Sequence, residues 1–200
     1  MNSAKNNIID KVKKAKKGSI FFTEDFRSLG TDEAIRVALS RLVRRKILYR
    51  LARGIYAKPY YSKVLDKEVL PGAEEVAKAL AKRDKARIIP TGNYALNALG
   101  LSHQVPMKII YLTDASHRKV KLKNSEIIFR PTTSKNLSYK SEVVMLVVQA
   151  LKEIGKGNQT KEEEEKILAH LKKVDVKHLK HDLGIAQQWI SEIMAKALEK

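Results

Sequence analysis

"TDEAIRVALSRLVRRKILYRLARGIYAKP", residues 31–59, decides how the rest of the chain is read. Thr31 carries the kind of side-chain oxygen that caps a helix, and Asp32 and Glu33 follow in the first turn, where the helix dipole favours negative charge. Ile35, Ala38, Leu39, Leu42 and Val43 then recur at the i, i+3, i+4, i+7, i+8 spacing of one buried stripe, which predicts an amphipathic helix. Arg36, Ser40, Arg41 and Arg44 fall on the opposite surface. Two β-prone runs follow, "ILYRL" and "GIYAK", around Ala52, Arg53 and Gly54, where glycine can take the positive φ that a hairpin turn demands. Pro59 ends the second run.

Working outward toward the N-terminus, "NNIIDKVKKAKKGS" sets Ile8, Ile9, Val12 and Ala15 at helical spacing with lysines on the other face, and Gly18 stops it. "SIFFTEDF" reads as a short edge strand and then a brief second helix capped by Thr23, broken at Gly30. Helix, short helix, turn, amphipathic helix, hairpin is the order of a winged helix-turn-helix module, expected over residues 1–62. A helix fits the major groove of B-DNA while an adjoining hairpin lies along the backbone, so such a module needs cations on the outer face of the helix and on the wing together.

The basic residues lie where that requirement puts them. Arg36, Ser40 and Arg41 are expected to reach base edges, because arginine can bond guanine bidentately, and Arg44 extends the same face. Thr31 is expected to cap the helix and touch phosphate, while Arg50, Arg53 and Lys58 hold the backbone and fix register rather than read sequence. Lys13, Lys14, Lys16 and Lys17 are further candidates for phosphate contact, although for each alone a solvated helix face is the stronger reading.

Charge supports a polyanionic partner. The 200 residues carry a formal net charge of +18, which opposes compaction unless a polyanion or counterions screen it. Residues 1–63 hold 16 Lys/Arg against 5 Asp/Glu, a net of +11, so the excess is concentrated in the N-terminal third. The apolar fraction of 44% is that of a folded globular chain, and two domains are expected. No apolar run approaches a membrane span, and "MNSAKNNIIDKVKKAKK" lacks the apolar block of a secretion signal, so a cytoplasmic location is expected. With no cysteine there is no disulfide framework, no thiolate nucleophile and no Cys-based zinc site.

"YYSKVLDKEVLPG" reads as a linker into a second domain over residues 70–200. There "AEEVAKALAKRDKA" is a helix turning Val76, Ala79 and Leu80 inward, "RIIP" a short strand, "TGNYALNALGLS" a helix closing at Gly100, and "MKIIYLTD" a buried strand. "RKVKLKN" and "SEIIFRPT" pair as a hairpin through Asn124 and Ser125. "SEVVMLVVQALKEIG" is a buried helix, and the tail from residue 157 to 200 is helical throughout. The fold class is therefore α+β: an N-terminal winged helix-turn-helix domain, a mixed α/β domain and a helical C-terminal tail.

Catalytic patterns are missing. There is no GxSxG, Walker loop, HExxH or dinucleotide fingerprint, and no enzyme activity or cofactor is expected. His178 and His181, with His170, Asp175 and Asp182 nearby, could in principle build a metal site, but three-residue spacing on a polar helix is common by chance and no metal is assigned. "DVKHLKHDLGIAQQWISEIM" has the layout of a second helix-turn-helix. Its last helix offers Gln187, Gln188, Ser191 and Glu192 rather than cations, which favours a helical hairpin packing Leu179, Leu183, Ile185, Trp189 and Ile193.

The wing ending in "LARGIYAKP", followed by "IIPTGNYALNALGLSHQVPMKIIYLTD" and "EIIFRPT", resembles the abortive-infection AbiE-type antitoxins of bacterial type IV toxin-antitoxin systems over about residues 5–150. The resemblance implies a transcriptional repressor that binds inverted repeats in its own promoter through the N-terminal domain. It also implies a C-terminal domain that neutralises the effect of a nucleotidyltransferase-like toxin without necessarily binding it. The rival reading is an RNA- or ribosome-associated basic protein. It is weaker because single-stranded RNA readers display stacking aromatics, whereas aromatics here are 6% of residues, with Tyr56, Tyr60 and Tyr61 clustered at the exit of the wing.

Overall fold

The computed structural model describes residues 4–199; Met1–Ser3, the start of the polar opening stretch, and Lys200 lie outside them. The chain is α+β and divides into two compact units, one running to Leu80 and including Lys121–Lys123, the other holding Ala81–Val120 and the chain from Asn124 onward.

In the first unit α1 (Ala4–Lys14) is followed by β1 (Ile20–Phe22), a 3-10 helix over Thr23–Leu29, α2 (Asp32–Arg44), β2 (Tyr49–Ala52) and β3 (Ile55–Ala57). The three strands form one antiparallel sheet in the order β1-β3-β2, with Ile20 and Tyr49 both opposite Ala57. This is the winged-helix arrangement: three helical segments closed by a hairpin whose inner strand pairs with β1.

The stripe on α2 explains why the unit closes. Ile35, Ala38, Leu39 and Leu42 are all buried, and they meet Ile8 and Val12 of α1, Phe21, Phe26 and Leu48 in one core. Burying a leucine or isoleucine side chain contributes roughly 2 kcal/mol, so this stripe holds α2 in place far more strongly than helix propensity does. Val43 packs only partly against the same core.

Thr23 behaves differently from the expected cap. The 3-10 helix is preceded by Phe22, whose N–H donates to Asp25 Oδ2 at 2.7 Å. A carboxylate three residues along thus reaches back to the backbone at the start of the helix. The N–H of Thr23 instead donates to the carbonyl of Gly54 at 3.1 Å, tying this segment to the turn of the wing.

The stretch read as a linker is itself ordered. β4 (Tyr60–Ser62) and β5 (Lys67–Val69) pair antiparallel, Tyr60 opposite Val69, and Asp66 takes the positive φ of 47° that the turn between them needs. The division between the units falls further on, inside α3 (Ala73–Asp84), where Val76, Ala77 and Leu80 are buried and Ala79 is only half-buried.

The second unit holds β6 (Ile88–Pro90), α4 (Asn93–Ala98), β7 (Lys108–Thr113), β8 (Arg118–Lys121) and β9 (Glu126–Pro131). The sheet order is β6-β7-β9-β8, so β8 and β9 are neighbours as the hairpin reading expects. β7 also lies parallel to β9, Lys108 opposite Glu126 through Thr113 opposite Pro131. Parallel neighbours need a crossover, and residues 114–125, with β8 inside them, supply it. Tyr111 and Phe129 stack across this pair at 5.9 Å between ring centroids.

α5 (Glu142–Ile154) is capped by Ser141 Oγ, which accepts from the Val144 N–H at 3.3 Å. α6 (Lys161–Leu171) begins with a reciprocal cap between Thr160 and Glu163, and α7 (Val176–Leu183) and α8 (Gln188–Ala195) complete the tail. Leu179 and Ile193 are buried in the core built on Val144, Val147 and Leu151, and Leu183, Ile185 and Trp189 pack against it. The tail therefore folds as helices laid on α5.

Candidate nucleic-acid interface

The face of α2 opposite its buried stripe is exposed along its whole length, at Glu33, Arg36, Val37, Ser40, Arg41 and Arg44. Thr31 caps the helix, its Oγ1 accepting from the Ala34 N–H at 3.3 Å. Among the described residues no carboxylate forms an ion pair with Arg36, Arg41 or Arg44. Three arginines of the second unit, Arg83, Arg87 and Arg118, are held differently. Arg87 Nε lies 2.9 Å from Asp114 Oδ2, and Arg118 and Arg83 both bond Asp84. Hydrogen bonds from Arg87 keep the Asp114 carboxyl below the usual carboxylate range, and Arg83, aided by Arg118, does the same to Asp84.

On the wing, Gly54 has φ 73° and lets Arg53 stand exposed at the hairpin tip. The register between β2 and β3 shifts between Arg50 and Ala52, and Arg50, also exposed, donates from Nε to the Ala52 carbonyl at 3.4 Å. Its guanidinium is thus drawn alongside the bulge but stays in solvent.

Lys58 has another occupation. Its ammonium donates to the carbonyls of Val12 at 3.1 Å, Lys13 at 2.8 Å and Ala15 at 2.8 Å. Those are free carbonyls at the end of α1, where the helix dipole is negative. Its backbone does the same work: Lys58 N–H donates to Ser19, and Gly18 N–H donates to Lys58. Three carbonyls take up the hydrogen-bond donors of this ammonium, so Lys58 ties the wing to the first helix. Lys13, Lys14, Lys16 and Lys17 are exposed.

Two depressions border the exposed face of α2. One, of about 300 Å³, is lined by Thr23, Glu24, Arg27, Asp32 and Arg36. It brings Arg27, from the 3-10 helix, beside Arg36, and nothing in the helical spacing of the sequence singled Arg27 out. The other, of about 410 Å³, is lined entirely by α2 and its cap: Thr31, Glu33, Ala34, Val37, Ala38 and Arg41. Val37 is 44% exposed there, an apolar side chain on a polar face. Its position off the buried stripe was the available signal.

The tail histidines do not converge. Asp182 is fully buried; its Oδ1 accepts from the backbone N–H of Lys140 at 2.9 Å and lies 2.8 Å from His181 Nδ1, while its Oδ2 accepts from the Ser141 N–H at 3.0 Å. His170 Nε2 lies 3.1 Å from the carbonyl of Leu99. Among the described residues no three His, Asp or Glu side chains are grouped to hold a metal ion, and no helix is long and apolar enough to cross a membrane.

Fold and surface together define a winged-helix protein whose third helical segment and wing present cations that, among the described residues, no carboxylate engages. The chain belongs to the family of unknown function DUF6088, whose model matches residues 7–179. No curated protein matches it.

Proposed function

We propose that this chain is a transcription regulator that binds duplex DNA, α2 entering the major groove and the hairpin β2-β3 lying on the phosphate backbone. One observation carries the reading: Arg36, Arg41 and Arg44 share the exposed face of a helix whose other face is fixed in the core, with Arg50 and Arg53 exposed on the adjoining hairpin. A recognition helix must be held rigidly by one face and be free to bond base edges with the other. Arg36, Ser40 and Arg41 read bases. Thr31, Arg44, Arg50 and Arg53 position the backbone, and Arg27 joins them from the 3-10 helix. Lys58 is left out of the interface because its ammonium caps α1.

The likeness to AbiE-type antitoxins extends the proposal. The chain would be a cytoplasmic, autoregulating antitoxin acting on inverted repeats in its own promoter and countering the effect of a nucleotidyltransferase-like toxin without necessarily binding it. The RNA reading gains no support from the wing-exit tyrosines. Tyr56 packs on the core and the Tyr60 ring lies against Gly18, which leaves Tyr61, 51% exposed with its hydroxyl donating to Asp66, as a single open ring rather than a platform for successive bases.

The test is a binding comparison with the full chain. Fluorescence-labelled duplex from the region upstream of its own reading frame should bind more tightly than shuffled duplex of the same length, and more tightly than double-stranded RNA. Equal affinity for all three would remove the regulator reading. Growth rescue of cells expressing a neighbouring nucleotidyltransferase-like protein would support the antitoxin role, and lack of rescue would leave only the regulator.

A further inference from the structure

The inference rests on the duplex-DNA reading and narrows what the helix recognises. Val37 stands in the second turn of α2, in the middle of the face that carries Arg36, Ser40, Arg41 and Arg44. It is 44% exposed, so much of its apolar surface stays in water and gains nothing from burial in the core. Beside it lies the depression of about 410 Å³, to which Ala34 and the inward-lying Ala38 contribute short side chains and Thr31, Glu33 and Arg41 polar ones.

The chemistry of that dent limits its occupant. A phosphate is disfavoured by the Glu33 carboxylate on its rim. A polar base edge would find no partner on the methyl groups of Ala34, Ala38 and Val37, and would lose its own hydration there. A small apolar group matches all three, delivered by something negatively charged enough to satisfy the surrounding arginines. In the major groove of DNA the apolar group that base edges display is the 5-methyl of thymine, which is also the apolar mark distinguishing A·T from the other pairs.

We infer that Val37, with Ala34 and Ala38, forms a methyl-binding subsite for thymine, and that Arg41 beside it takes the neighbouring base. The DNA that this protein prefers then carries, in each copy of its recognition site, a thymine read by its methyl group rather than by hydrogen bonds. Val37 is a specificity-determining residue in a helix otherwise read as cationic.

The experiment starts from duplexes enriched from a random-sequence pool by the full-length protein. In the enriched duplex each thymine is replaced in turn by deoxyuridine, which deletes the methyl and leaves every hydrogen-bonding group. One position per copy of the recognition site should weaken wild-type binding by about fourfold, the value of one buried methyl group. Val37→Ala should bind the unmodified duplex about fourfold less tightly and should no longer respond to uridine at that position. A response in Val37→Ala equal to that of the wild type, or insensitivity of the wild type at every thymine, overturns the subsite while leaving duplex binding intact. Failure to enrich any duplex overturns the DNA reading itself, and the subsite with it.

Discussion

The side-chain nitrogen of Lys58 lies 2.8 Å from the carbonyl oxygen of Lys13, joining the exit of the wing to the last turn of the first helix across 45 positions of sequence. Two further carbonyls share the same ammonium. Removing that nitrogen while keeping the aliphatic stem should therefore cost stability and spare the nucleic-acid surface.

Lys58→Met is expected to lower unfolding stability by roughly 2 kcal/mol, within the range for a charged donor at a helix C-terminus. Chemical denaturation measures it. In the same variant the salt slope of DNA binding should stay that of the wild type, whereas Arg53→Gln should flatten the slope by about one unit with stability unchanged. The opposite pairing would place Lys58 on the phosphates after all.

Gly54→Ala addresses the wing turn. The residue sits at φ 73°, and an added Cβ would come 3.4 Å from Thr23 Oγ1. The space is tolerable but the backbone is not, so the variant should lose about 1 kcal/mol. Thermal unfolding checks it, and a neutral result would mean the hairpin relaxes into another turn.

Asp182 is the corresponding anchor in the second unit. Its carboxylate, fully buried, is the acceptor for two backbone N–H groups at the entrance to α5. Asp182→Ala strands both donors and should cost roughly 3 kcal/mol, read by denaturation. DNA affinity at a temperature where the variant remains folded should be unaffected, because the cations proposed to bind lie in the first unit.

The pH dependence follows from Asp114. Arg87 holds its carboxyl below the ordinary carboxylate value, so the folded pKa is the lower one. Stability from this contact is fully present above the unfolded carboxylate pKa and is lost as pH falls through the depressed folded value. The group is exposed, so solvent screening keeps the effect small. Asp114→Asn should flatten the acid limb of a stability profile slightly and leave the neutral region displaced by a constant amount. An unchanged acid limb would show that the pair contributes nothing.

What could be read in advance was local and periodic. The stripe Ile35, Ala38, Leu39, Leu42 fixed the orientation of α2, and with it the exposed cations, because burial at helical spacing leaves one solution. Gly54 announced the wing by its need for positive φ. The role of Lys58 was hidden because it depends on the end of α1 folding back to meet residue 58, and no short-range pattern encodes that. The hairpin β4-β5 was also hidden: its turn uses Asp66 at positive φ instead of the glycine or asparagine that marks such turns. Arg27 joined Arg36 only through the packing of the 3-10 helix on α2. The parallel pairing of β7 with β9 arose the same way, since β9 is flanked in sequence by β8 alone.

The most direct measurement is the affinity of the full chain for its upstream duplex as a function of salt concentration, for the wild type and for Arg36→Gln/Arg41→Gln. If the exposed face of α2 binds DNA, the wild type should show a steep negative slope, and the double variant should lose about two units of slope together with most of its preference over shuffled sequence. A double variant with the slope, affinity and preference of the wild type would contradict the account, since the two guanidiniums at its centre would then touch no nucleic acid.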